Sequence, residues 1–273
     1  MRLLAALTIL LPCAGVAMAA ARGPSALDLV LFAGFYFVTQ LGITAGYHRL
    51  FAHRSFDTTS LVKTVLIAAG SMSAQGSLLF WVAAHRRHHQ FSDRPGDPHS
   101  PHLDGFWHAH VGWMFTYVPE ADWARSVPDL LQDDHIFRVS RHYVAFVLAG
   151  LAAPAVIAGV VTSSWTGALD GLLWGGLVRV FCAHHATWAV NSVCHRFGER
   201  PQTTRDRSRN VPALALLTLG ESWHNNHHAR PTSARHGFSR WQLDPTYAFI
   251  RLLELSGAAW DVRLPAAAKE RAA

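Results

Sequence analysis

The chain has 273 residues, half of them hydrophobic and only 15% charged, against roughly 25% charged in an ordinary soluble protein. This excludes a disordered, coiled-coil or ordinary cytosolic globular chain. Cys13, Cys182 and Cys194 stand far apart, which leaves no disulfide framework and no CxxC motif. Histidine is the outlier, with 18 copies beside 24 Lys and Arg. A hydrophobic, histidine-rich chain points to a metal site at a membrane.

In chain order, residues 3–21 carry no charge and residues 28–47 only Asp28, at the start. Each meets the requirement of about 20 apolar residues to cross a bilayer core. Arg2, the apolar run and Ala17-Met18-Ala19 also allow the first segment to be read as a cleavable secretory signal. In either case the second span would start outside and end inside. Residues 64–84 are uncharged but diluted by Gly70, Ser71, Ser73, Gln75, Gly76 and Ser77, and read as a helix buried in protein or lying at the interface. Residues 143–162 form the third span. The fourth, 170–190, contains Arg179, His184 and His185, which belong near an interface or facing a protein interior.

The expected fold is therefore all-α: a single membrane domain over 1–273, with about four transmembrane helices and a helical cap built from cytoplasmic regions 48–141 and 191–273. Charge placement agrees. Lys and Arg number nine between Tyr47 and Arg141, twelve from Asn191 onward, and one in the two connections on the other side. That excess favours a cytoplasmic amino terminus, middle region and tail. The net charge of +6 is then explained by contact with anionic headgroups. No helix-turn-helix, zinc finger or aromatic-basic platform suggests nucleic acid.

Nine histidines fall into groups, all on the expected cytoplasmic side: His48 and His53; His85, His88 and His89; His195; His224, His227 and His228. The two HxxHH groups place three imidazoles at i, i+3 and i+4, on one face of a helix. Asn191 stands one turn before His195. His48 and His53 are five apart, about 140° around an ideal α-helix, and need a helix break or different metals. Neutral imidazole is a ligand for Zn, Cu, Fe or Ni. Nine ligands exceed one tetrahedral zinc and imply two metals, with iron favoured over copper. The remaining nine earn no such role. His99, His102, His108 and His110 read as supporting or surface groups. His135, His142 and His236 read as loop or interface residues, and His184 and His185 as interior lining.

The motifs LGITAGYHRLFAHRSF (41–56), HRRHHQFSDRPGDPH (85–99), HVGWMF (110–115), ATWAVNSVCHRFGERP (186–201) and GESWHNNHHARP (220–231) together resemble the membrane-bound fatty-acid desaturases, in particular the Δ9-type branch of stearoyl-CoA and bacterial acyl-lipid enzymes. The resemblance implies two iron ions held by His48, His53, His85, His88, His89, His195, His224, His227 and His228, with Asn191 acting through a water on the metal. It implies an acyl tunnel at Gln75, Trp81, Thr187 and Trp188, O₂ as co-substrate, and a cis double bond at a Δ9-type position. It further implies a multi-pass protein of the bacterial inner membrane. Ala83 and Ala84 stand where the animal acyl-CoA enzymes carry an Arg-Asp pair that contacts the nucleotide of CoA, and Met114-Phe115-Thr116-Tyr117 replaces basic residues. A CoA phosphate wants Arg or Lys donors, so the departure favours an acyl-lipid or a differently bound acyl thioester.

With no haem motif and no cysteine cluster for an iron–sulfur centre, electrons are expected from a separate ferredoxin- or cytochrome b5-like carrier. Arg86, Arg87, Arg94, Arg205, Arg207 and Arg209 are candidates for its docking face, or for headgroup contact. Removal of hydrogen from an unactivated methylene pair is beyond acid–base chemistry and belongs to the metal. A related diiron hydroxylase is the nearest alternative. A membrane metal-binding or transport protein is the alternative from another class, and it would string ligands across several depths.

Overall fold

The computed structural model describes residues 2–117 and 123–265; Lys269 and Arg271, counted above in the basic tail, lie outside them. Helix dominates the described residues, with irregular stretches at 92–105, 197–211 and 230–244. Among the described residues the one ladder pairs β1 (Asp57–Thr58) with β2 (Ala259–Trp260) in antiparallel register.

Among the described residues three stretches are long and apolar enough to cross a membrane: Ala5–Arg22, Ala26–Ala52 and Tyr143–Thr162. The first lies in α1 (Arg2–Arg22), followed after a short link by α2 (Ala26–Leu41). Ser25 starts α2 with a capping box: its hydroxyl accepts from the Asp28 N–H at 3.2 Å, and Asp28 accepts the Ser25 N–H at 2.9 Å. This satisfies donors that the first turn of a helix leaves open. The helix then continues without interruption as a π-helical segment, Gly42–Ala52. Next come α3 (Ser60–Met72), α4 (Leu78–Phe91) and the third span, α5 (Tyr143–Thr162).

The fourth expected span is one continuous helix, α6, running through Trp165–Gly171, a π-turn at Leu172–Val178, and Arg179–Arg196. Lipid-facing character is plain on α1, α2, α3 and α5, where Leu10, Val30, Phe37, Leu61, Val144, Val156 and Val160 are exposed. A hydrophobic side chain left in the open on a helix this apolar is solvated by lipid tails. Arg179, the costly residue of α6, is fully buried. Its guanidinium donates to the carbonyls of Met72 at 2.6 Å, Gly150 at 2.7 Å and Gly175 at 3.1 Å. It thus ties α3, α5 and α6 together from inside, as an intramembrane charge must.

Residues 64–84 do not form one helix. The chain breaks between α3 and α4 at Ser73–Ser77, where Ala74 and Gly76 have φ of 58° and 101°. The left-handed conformation ends α3 and turns α4 away from the bundle into the cap, carrying the first HxxHH with it. Short helices at Trp113–Thr116, Pro128–Gln132 and Asp134–Ser140 also belong to the cap, as do α7 (His224–Ala229) and α8 (Pro245–Leu255).

The π segment packs on α3 through small residues. A Cβ added at Gly42 would lie 2.1 Å from the Gly70 nitrogen and 2.4 Å from the Ala69 carbonyl carbon. Backbone cannot retreat as a side-chain tip can, so this contact requires glycine. Gly42→Ala is expected to lose about 1–3 kcal/mol or more, read as a lower unfolding temperature in detergent; an unchanged transition would refute the close approach.

Candidate metal centre

The π segment resolves the His48/His53 spacing, and neither a break nor separate metals is needed. In a π-helix each N–H bonds to the carbonyl five residues back, and the His53 N–H does so to the His48 carbonyl at 3.1 Å. Residues five apart therefore stack one above the other, and both rings face the same point. His85, His88 and His89 leave one face of α4. His195 leaves the end of α6, and His224, His227 and His228 leave α7. α7 is too short to hold itself, with six residues, and an asparagine network anchors it. Asn210 Oδ1 accepts the N–H groups of Asn225 and Asn226 at 2.9 and 3.1 Å, and Asn226 donates to the His236 carbonyl at 2.9 Å.

The nine imidazoles sort into two sets whose ligand atoms lie within 4.8 Å of one another: His48, His53, His85, His89 and His227 in one, and His88, His195, His224 and His228 in the other. Within the sets, Nε2 atoms face each other at 2.8 Å (His53, His85), 3.0 Å (His89, His227), 3.1 Å (His48, His227) and 2.9 Å (His195, His224). Asn191 adjoins the second set, on the wall of the cavities described below with His88 and His224.

Four carboxylates, which the sequence reading did not single out, orient these rings. His88 Nδ1 donates to Asp97 at 2.9 Å, His195 Nδ1 to Asp93 at 2.9 Å and His228 Nδ1 to Asp206 at 2.7 Å. His48 Nδ1 pairs with Glu221. The carboxylates are themselves fixed. Asp97 accepts the Asp93 N–H at 2.8 Å, Asp93 the Arg207 N–H at 2.8 Å, and Glu221 takes two donors of buried Arg49 at 2.9 and 3.1 Å. With the proton on Nδ1, Nε2 of each of the four presents a lone pair to the interior. The Nε2 atoms of His88 and His228 are buried with no hydrogen-bond donor. A buried acceptor without a donor costs about 1–3 kcal/mol, and a cation is what satisfies several converging lone pairs at once. The residues thus fit a pair of nitrogen-ligated metal ions.

Electrostatics agree with this. Burial would raise Asp97, but the His88 ring outweighs it and holds the carboxyl well below the usual range; burial is likewise outweighed at Asp206, chiefly by His228. Burial pulls His228 down to about 4 against its bond to Asp206. Burial, and then neighbouring imidazoles, hold His224 and His227 well below the ordinary histidine value. These three rings are neutral near pH 7, the form that binds metal; His88 shifts the other way, because Asp97 outweighs its burial and raises it.

Of the other histidines, His236 is no ordinary loop residue. It is fully buried, its ring 4.4 Å from that of His227 and its Nδ1 3.5 Å from Glu221. His99 is buried against His88, and His102 Nε2 donates to the His195 carbonyl at 2.7 Å. His184, buried inside α6, donates to the Ser73 carbonyl at 2.9 Å; neither it nor His185 belongs to a metal set. Arg86, expected on a docking face, is committed within the cap. It donates to Asp129 at 2.7 and 2.8 Å and to the Phe51 carbonyl at 2.8 Å.

Two cavities meet at the metal sets. The larger, about 400 Å³, is lined by Gln75, Trp81, Thr187 and Trp188 among others, and the smaller, about 40 Å³, by Gln40, Ile43, Thr44 and Val190. Trp81, His85, Thr187 and Asn191 line both, so the two cavities adjoin beside the imidazoles. Where they adjoin, Gln75 Nε2 donates to Thr187 Oγ1 at 3.1 Å. All four residues expected at an acyl tunnel line the larger cavity.

Asp97→Asn and Asp206→Asn should each weaken metal binding about 10–100-fold with the fold kept, since orienting carboxylates carry that weight in histidine sites. Metal content per chain after dialysis against a graded chelator checks this, and unaltered retention would remove the orienting role.

Comparison with known proteins places the arrangement. Residues 24–260 match the family model described as fatty acid desaturase. The chain is 42% identical over 255 residues to the hex-5-enoyl-[acyl-carrier protein] acetylenase of Moorena producens, covering 89% of this chain and 79% of that protein. It is 39% identical over 226 residues to the sn-1 stearoyl-lipid 9-desaturase of Synechocystis sp., covering 82% and 68%. It is also 39% identical over 233 residues to the acyl-CoA 5-desaturase AL21 of Anemone leveillei, covering 84% and 70%. With the histidine sets and apolar helices already described, these matches identify an oxidoreductase: the chain belongs to the fatty acid desaturase family.

Proposed function

We propose that the protein is an O₂-dependent acyl desaturase that places a cis double bond, at a Δ9-type position, in the saturated chain of an acyl-lipid or acyl thioester. The carrying observation is that Trp81, His85, Thr187 and Asn191 line both a mostly apolar cavity of about 400 Å³ and the smaller one between the two sets of converging imidazoles. Two irons held by His48, His53, His85, His89 and His227, and by His88, His195, His224 and His228 with Asn191 alongside, would supply the one-electron oxidation that an unactivated C–H bond requires. The chain's own residues do the rest. Trp81 and Thr187 hold the acyl chain beside the imidazoles, Gln75 fixes the Thr187 hydroxyl, and the apolar walls exclude water. Ala84 lines the larger cavity where a CoA-binding pair would be charged, which supports a carrier recognised in another way.

The gathering of all nine rings at the ends of α2, α4, α6 and α7 supports catalysis over transport, because a conducting path needs ligands at several depths. We place the active site on the cytoplasmic side of a bacterial inner membrane, crossed by α1, α2, α5 and α6, from the charge distribution. Expression in an aerobic bacterial host that lacks desaturases should yield a new monounsaturated fatty acid, absent when His88 and His89 are both alanine. Hydroxylated chains instead would establish the hydroxylase alternative.

A separate electron carrier has its own approach. A cavity of about 450 Å³ exposes edges of His53, His89 and His228 beside Arg205 and shares no lining residue with either of the other two cavities. Arg205 and Arg94 are exposed and suit an acidic partner. Reduction of the purified protein by such a carrier should accelerate as ionic strength falls, and a salt-independent rate would remove the docking face.

A further inference from the structure

The two metal sets are unevenly supported. In the set of four, His88, His195 and His228 each give their Nδ1 hydrogen to a carboxylate. In the set of five, among the described residues, His48 alone pairs this way, with Glu221. His227 is the most buried of the other four, and its Nδ1 has no hydrogen-bond partner. Its Nε2 faces those of His48 and His89 at 3.1 and 3.0 Å. For that nitrogen to offer a lone pair, the proton must stand on Nδ1. A ligand imidazole ordinarily gives this proton to an acceptor, which fixes the ring and raises its basicity.

The neighbour is His236. Its ring centroid lies 4.4 Å from that of His227, it is completely buried, and neither of its ring nitrogens is paired. Three unpaired nitrogens in two adjoining buried rings are more than native proteins ordinarily leave. One assignment of protons resolves all three. A carboxylate only accepts, so with Glu221 Oε2 3.5 Å from His236 Nδ1 the His236 proton belongs on Nδ1. Its Nε2 is then an acceptor, complementary to the donor that His227 presents. Nδ1 of His224 is also unpaired, but the rings that adjoin it are all ligands themselves.

The backbone holds His236 in this place. Its N–H donates to Asp244 at 2.7 Å, and its carbonyl accepts from Asn226, the residue before His227, at 2.9 Å. Asp244 is in turn paired with Arg49.

We infer that His236 is a positioning residue of the metal centre: Glu221 accepts from its Nδ1, and its Nε2 accepts from His227 Nδ1 as that ring turns to a cation. Glu221 then orients two ligands of the set of five from one oxygen, His48 directly and His227 through His236, while Arg49 holds the other oxygen. The set with one carboxylate thereby gains a second oriented ring.

His236→Phe fills the space and removes both nitrogens, whereas His236→Gln restores a donor for Glu221 and an acceptor for His227. Iron(II)-loaded proteins are dialysed against a graded chelator, and iron per chain is measured. One of two ions should leave His236→Phe at about 10–100-fold less chelator than in the wild type. The other should leave at the wild-type level, and His236→Gln should hold both as the wild type does. Loss of both ions together would show general support of the cap, and loss of neither would show no support. Either result overturns the inference, as does a Gln variant that behaves like Phe. Should the Phe variant misfold, His236→Met supplies a flexible apolar side chain for the same comparison. The unsubstituted zinc-loaded chain needs no variant to fold: nitrogen shifts of labelled histidine should show His236 protonated at Nδ1 and bare at Nε2, and the opposite tautomer overturns the inference. Because these readouts need no turnover, a chain that holds both ions but forms no olefin refutes the desaturase reading and leaves His236 in its role.

Discussion

Everything in the cap serves one constraint: nine imidazoles, five buried and four half-buried, must turn their ring nitrogens onto two common points. That arrangement is unfavourable in isolation, because acceptor nitrogens about 3 Å apart repel and have no water to turn to. It holds because the opposite ring nitrogens of four histidines donate to Asp93, Asp97, Asp206 and Glu221, which fixes both tautomer and direction. Each carboxylate is in turn clamped by backbone N–H groups or by Arg49. The scaffold is thus prepared for cations before any arrives, and the binding energy of metals held there would become folding energy for the cap.

Arg49 shows how far that preparation reaches. It is fully buried one residue after His48, holds Glu221 with two donors, and also pairs with Asp244 at 2.9 Å and donates to the Ala234 carbonyl at 2.7 Å. Since His48 and Arg49 are adjacent on the π segment, the same backbone that aims one ring also anchors the loops before α7 and α8. Removing one partner from such a buried set leaves an uncompensated charge, which typically costs 3–5 kcal/mol. The close contact of Gly42 with α3 fixes this segment from the membrane side. The metal sets are therefore positioned from the bilayer upward.

Much of this was legible in the sequence. The apolar runs located the three long spanning helices, and the i, i+3, i+4 spacing put each HxxHH on one helical face. What escaped depended on geometry that side-chain type does not encode. The 140° between His48 and His53 assumes α-helical winding, and π winding removes it without any marker residue. Asp206 is 22 positions from His228, and Asp93 102 from His195; only the folded cap makes them partners. Asp97 lay inside the quoted HRRHHQFSDRPGDPH motif, nine residues after His88, and was readable as an orienting carboxylate. So was Glu221, three residues before His224. The break at Ser73–Ser77 also had a signal in Gly76, which the uncharged run concealed.

A saturated acyl chain offers no polar handle near the carbons to be oxidised, so position must be measured by shape. The only fixed reference within reach of such a chain is the pair of histidine sets. Trp81, His85, Thr187 and Asn191 line both cavities beside those sets, so on the desaturase reading the methylene pair to be oxidised is chosen by where the walls hold the chain against the imidazoles, and the cost is conformational freedom. Four side chains from α4 and α6 make that placement, and both helices also carry histidines of the two sets, so the wall that would seat the chain and the ligands that would act on it are built on the same rigid elements.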